Sequence, residues 1–175
     1  DDFELGDDVA RADVACMKDV CDAGERREDL GPQQSVRVTD DAHARHGVQV
    51  AFNFYDAGDG RARTDAEQTL TDVRQLEVTA LCRECDVRNP EEVSAFVSET
   101  VEVLGGLHIL VNNAGIARDR ALWRMEDEEW SDVIDTNLTG AFNMLRACTP
   151  IMRAQQHGKV VNVSSVHGLR SEFGL

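Results

Sequence analysis

Two serines, Ser164 and Ser165, stand at the end of an apolar run, VVNV at residues 160–163. A hydroxyl delivered from a strand end is a hydrogen-bond donor for a substrate carbonyl, or it ends the strand by bonding backbone groups. Asp86 closes a second such run, where a carboxylate accepts from a ligand's amino or hydroxyl group or begins the turn before Asn89. A third run, at 107–111 (LHILV), leads into Asn112-Asn113-Ala114-Gly115. There a glycine lets backbone approach a ligand closely, or Asn and Gly form an ordinary turn. Each feature has a plain structural reading when taken alone. Recurring at successive strand ends, they fit a ligand lying across the carboxyl edge of a parallel sheet. Cys82 and Cys85 have the spacing of half a zinc knuckle, but no second CxxC or paired histidines follow. No metal site is expected.

The elements that must carry these residues follow from periodicity. Residues 48–55 (VQVAFNFY) are rich in strand formers, and 64–77 place Ala66, Leu70, Val73 and Leu76 at helical spacing. Residues 78–87 return to strand. Asn89-Pro90-Glu91-Glu92 is a helix start, with Asn as cap, Pro in the first position and acids in the first turn. The helix ends at Gly105-Gly106. After LHILV and a polar loop, residues 127–147 read as one long helix burying Trp130, Val133, Ile134, Leu138, Ala141 and Leu145. Pro150 marks its end or a bend. Residues 159–163 form the next strand. The alternation describes a Rossmann-like doubly wound parallel sheet with helices on both faces, incomplete at its carboxyl end. Residues 1–47 leave alternatives open. Residues 7–28 wind as a helix with Val9, Ala12, Cys16 and Val20 together, or 12–17 (ADVACM) form a short strand. The domain reading is an acidic segment over 1–35 and a partial dinucleotide-binding domain over 36–175.

ECDV, LVNNAG, DTNLTGAFN and GKVVNVSSVHGL, in this order and spacing, resemble the short-chain dehydrogenase/reductase family. Within that family the chain is most similar to β-ketoacyl carrier-protein reductases and acetoacetyl-CoA reductases, above all through the unbroken stretch 112–143. The resemblance runs over 41–175 and is strongest over 86–175. It implies that Asp86 holds the adenine amino group with Val87 packed beside it, and that Asn113, Ala114 and Gly115 line the cofactor. It further implies that Asn137 anchors a water of the proton relay and that Ser165 orients the substrate carbonyl for hydride attack. The implied activity is reduction of a 3-oxoacyl thioester or similar carbonyl by a nicotinamide cofactor. Phe54-Tyr55, where NAD-using relatives carry an acid, favours NADP(H), and the nearby Asp56 keeps NAD(H) open.

The sequence departs from the family in three places. The family's Tyr-x-x-x-Lys pair is absent: the one tyrosine is Tyr55, and the lysines are Lys18 and Lys159. His167 is the nearest titratable group to Ser165 and reads as a loop histidine. No TGxxxGxG loop precedes Gly47; GPQQS at 31–35 and the lone Gly24 are the nearest candidates. The strands expected after the fifth are also missing. A second class of function therefore stays open: a non-catalytic Rossmann-like unit, perhaps an interaction subunit of a related reductase, or a gene fragment.

Composition narrows the partners. The 175 residues carry a net charge of −15, against the basic footprint of nucleic-acid binding. Acid is concentrated early, with 13 Asp/Glu against 6 Lys/Arg over residues 1–46. No apolar stretch approaches the ~18 residues of a membrane span, and DDFELGDD lacks the charge of a secretory signal. The five scattered cysteines suit free thiols in a reducing cytoplasm. Expected partners are a small-molecule or acyl-thioester substrate, and a second copy or a related reductase.

Overall fold

A computed structural model of the chain describes residues 13–17 and 47–168. Its strands are β1 (Asp13–Met17), β2 (Gln49–Phe54), β3 (Ala80–Glu84), β4 (Ile109–Asn112) and β5 (Lys159–Asn162). All pair in parallel, in the order β3-β2-β1-β4-β5. The DVACM segment is thus a strand and not a helix, with Val14 in register with Val50 on one side and Ile109 on the other. In any other conformation it would leave two rows of backbone donors and acceptors unpaired between β2 and β4. This central strand comes from the segment 1–35, so a boundary at residue 35 cuts the sheet from its own middle. The candidate phosphate loops at Gly24 and 31–35 lie outside the described residues.

The helices are α1 (Arg61–Gln75), α2 (Pro90–Leu104), α3 (Asp127–Ile134) and α4 (Ala141–Ala154), with a π-helical turn at Asp135–Gly140 joining the last two. Strand β2 shows how they are distributed. Ala51 belongs to a core with Leu81, Val93, Phe96, Leu110 and Met144. Phe52 and Phe54 belong to another with Ala62 and Ala66 of α1. Successive strand residues point oppositely, so α1 covers one face and α2 with α4 the other. Leu107, Leu110 and Met144 are wholly buried, each stabilising the fold by about 1.5–3 kcal/mol.

Helix α2 starts as its sequence demands. The Asn89 side chain accepts from the N–H groups of Glu91 and Glu92 at 3.0 and 3.3 Å. Gly105, at φ 83°, supplies the left-handed residue that ends it. The long helix differs from expectation. It continues through Pro150 to Ala154, and its buried residues include Thr136, Gly140, Met144, Cys148 and Met152, spaced by four. Trp130 and Leu138 lie 57% and 64% exposed. The reason is the π turn, which adds a residue to one helical turn and rotates everything after it, so a stripe drawn at constant period drifts off the core. Pro150 forfeits one backbone bond, but the final turn is held by buried Met152 and by Gln155, which bonds both the N–H and the C=O of Leu107.

Candidate functional site

Because every strand runs the same way, Asp86, Asn113 and Ser165 all emerge at one edge of the sheet. Strands β3 and β5 are its margins, so Asp86 and Ser165 are separated by four strand spacings of ~4.8 Å, roughly 19 Å in all. An extended ligand along this edge passes β2, β1 and β4 on the way.

At the β3 margin the Asp86 carboxylate is gripped by Arg88. Oδ1 accepts from Arg88 N at 2.9 Å and from Nε at 3.0 Å, while Oδ2 accepts from Nε at 3.0 Å and Nη2 at 2.7 Å. Burial alone would raise the Asp86 pKa; the hydrogen bonds and charge of Arg88 outweigh it and hold the carboxyl below its usual range. The guanidinium lies over the Tyr55 ring, 5.2 Å from its centroid, at the end of β2. Its Nη1 is 3.7 Å from Asp132 on α3, which in turn pairs with Arg118 of the loop after β4 at 3.2 Å. One chain of charges therefore ties together the ends of β2, β3 and β4. The Asp86 N–H donates to Glu92, closing the turn onto α2.

The π turn joins the two loops. Asn137 uses both ends of its amide on one residue: Oδ1 accepts from Ile116 N at 2.8 Å and Nδ2 donates to Ile116 O at 2.9 Å. Its place is thus that of a clamp on the loop that begins at Asn113. Three residues on, Gly140 packs directly on Val87, and a Cβ there would overlap the valine side chain. From the next turn the buried Asn143 donates to Val87 O at 3.0 Å and to Arg88 O at 3.4 Å. Asp86–Val87 and the Asn113–Ile116 loop are therefore held by a single helical irregularity, of a kind that often marks functional sites. Sequence reasoning named Asp86, Val87 and Asn137 but missed Arg88, Gly140 and Asn143. The signals for the last two were a glycine inside a helical pattern and an asparagine on its apolar stripe.

Strand β5 is tied to β4 by Val163 N donating to Asn112 O at 2.8 Å and by Asn112 Nδ2 donating to Asn162 Oδ1 at 2.8 Å. Ser165 follows in an exposed loop, its C=O accepting from Gly168 N at 3.0 Å. Lys159 opens β5 at the opposite edge of the sheet, and Tyr55 stands beyond β1 against Arg88, so neither replaces the missing Tyr-Lys pair beside Ser165. The His167 side chain lies outside the described residues.

Two buried acceptors, Asn53 Oδ1 and Asn112 Oδ1, have no hydrogen-bond partner among the described residues. They flank the end of β1, on β2 and β4. Among the described residues no cluster of three metal-binding side chains occurs. Burial raises the thiol of Cys82 to about 11, partly offset by Arg83, and that of Cys148 to about 12. Neither is a thiolate near neutral pH.

Residues 41–175 match the family described as short chain dehydrogenase. The 3-oxoacyl-(acyl-carrier-protein) reductase FabG of Staphylococcus aureus is 42% identical over 125 residues, which are 71% of this chain and 49% of that protein. The 3-oxoacyl-(acyl-carrier-protein) reductase of Synechocystis is 33% identical over 133 residues, 76% of this chain and 52% of its own. Among solved structures, an F189W actinorhodin polyketide ketoreductase with NADPH superposes with a TM-score of 0.67 at 32% identity, covering 75% of this chain and 49% of that one. An NAD+-bound xylitol dehydrogenase gives 0.66 at 28% identity, covering 75% and 48%. The chain spans about half the length of the curated relatives it matches.

Proposed function

The chain belongs to the short-chain dehydrogenase family, and on that premise we propose that it carries the nicotinamide-dinucleotide-binding half of a 3-oxoacyl thioester reductase, with NADP(H) as the preferred cofactor. The observation that carries this reading is the π turn at Asp135–Gly140, which holds the Asp86–Val87 turn and the Asn113–Ile116 loop together at one edge of a 3-2-1-4-5 sheet.

The residues present fit such a group. Asp86 and Arg88 stand side by side as acceptor and donor at one margin. At Gly115 a Cβ would come within 3.4 Å of Asn137 Oδ1, so glycine keeps the ground between loop and π turn open. The unpartnered Asn53 and Asn112 acceptors call for donors at the end of β1, since a buried acceptor left unmade costs about 1–3 kcal/mol.

In this reading Asp86 accepts from the purine, Val87 packs beside the ring, and Asn113, Ala114 and Gly115 line the ribose and nicotinamide. A bound nicotinamide supplies the hydride. Ser165 donates to the substrate carbonyl and fixes its angle, a contribution of about 3 kcal/mol where the donor is preorganised. Asn137 acts first by holding Ile116; Oδ1 retains an acceptor direction and Nδ2 one N–H for a water. NADP(H) is favoured because Tyr55, not an acid, ends β2 and carries a guanidinium on its face; NAD(H) remains the alternative through Asp56. The proton for the product alkoxide has no donor among the described residues near Ser165. This favours a second reading for the 175 residues alone: dinucleotide binding with little or no turnover.

Titration of the purified chain with NADPH, followed by acetoacetyl thioester, tests both readings. Saturable binding is expected; NADPH oxidation coupled to the thioester would decide for the reductase and its absence for the binding unit. No saturation at millimolar NADPH would overturn the proposal.

A further inference from the structure

We propose that Arg88 competes with the purine of a bound dinucleotide for the Asp86 carboxylate, weakening the preference of this chain for adenine over hypoxanthine. The inference rests on the reading of Asp86 as the purine acceptor. A carboxylate offers about four acceptor directions. Arg88 already makes four contacts to them, two on each oxygen, from its backbone N, Nε and Nη2.

The exocyclic amino group of adenine is a donor and needs a vacant acceptor, so it must displace an Arg88 contact before Asp86 can receive it. Hypoxanthine presents a carbonyl oxygen at the same ring position. An N–H of Arg88 not engaged by Asp86 donates to that oxygen while the Asp86 pair stays intact. Both side chains are reachable, at 35% and 19% exposure. The Tyr55 ring fixes the plane of the guanidinium, and Asp132, 3.7 Å from Nη1, offers it a second carboxylate when a ligand takes the first.

The test is the ratio of dissociation constants for nicotinamide hypoxanthine dinucleotide phosphate and NADP+, measured by calorimetry on the whole chain and on Arg88→Met and Arg88→Lys. Methionine keeps an apolar stem over Tyr55 and removes the donors. The ratio should rise about tenfold in Arg88→Met, the worth of one charge-assisted hydrogen bond regained by adenine. A smaller rise is expected in Arg88→Lys, which donates from a single point. A purely structural role for Arg88 would move both constants together. A ratio within about threefold of the parent in Arg88→Met, or unchanged in Arg88→Lys if the first variant does not fold, overturns the competition while leaving the dinucleotide reading in place. Failure of both dinucleotides to bind the parent chain and its variants overturns that reading and the competition with it.

Discussion

Asp86 and Arg88 show how one pair sets both charge state and recognition at a strand end. Because the folded pKa of Asp86 is lowered, folding favours its charged form. The resulting stabilisation is complete above the unfolded value of about 3.9 and is lost as pH falls through the lowered folded value. Denaturant melts between pH 7 and 2 should therefore show Arg88→Met losing less stability than the parent chain below pH ~4. Equal acid sensitivity in the two proteins would show that the pair does not couple to folding. Asp86 was legible in the sequence through its position after a strand. Arg88 was not, because a charged residue two positions on in a turn is normally solvated, and only the fold places it between Tyr55 and Asp132.

Among the elements, the π turn matters most. Its effect can be isolated, since Gly140 sits at φ −59°, an ordinary helical value, and only the contact with Val87 demands glycine. Gly140→Ala should cost about 1–3 kcal/mol in urea melts through overpacking. Val87→Ala in the same chain should recover most of that loss, giving a coupling of about 1 kcal/mol or more. Additive effects would mean the two residues do not press on each other. The strand and helix order, the Asn89 cap and the Gly105 stop were readable because local chemistry determines them. The face buried by the long helix was not. Its apolar stripe was extrapolated at constant period across a turn whose irregularity has no local sequence signature beyond Gly140. The central strand was readable only as one of two alternatives, because a five-residue DVACM segment is decided by its neighbours β2 and β4 and not by its own pattern.

For the whole molecule, the parallel order 3-2-1-4-5 brings widely separated positions to one edge, and the chain of charges from Tyr55 to Arg118 runs along that edge. The opposite edge carries Gln49, Ile109 and Lys159, the first residues of β2, β4 and β5. Among the described residues no helix is long and apolar enough to cross a membrane. The exposed Leu138 and Phe142 on the long helix fit the expected pairing of copies through that helix. The central claim is that a nicotinamide dinucleotide lies along the carboxyl edge, reaching from Asp86 past Gly115. Amide chemical-shift mapping of the 175-residue chain with NADPH tests it most directly. The account predicts perturbations at residues 86–88, 113–116 and 135–140, with 49, 109 and 159 unmoved. Perturbations confined to the opposite edge, or none at saturating NADPH, would contradict it.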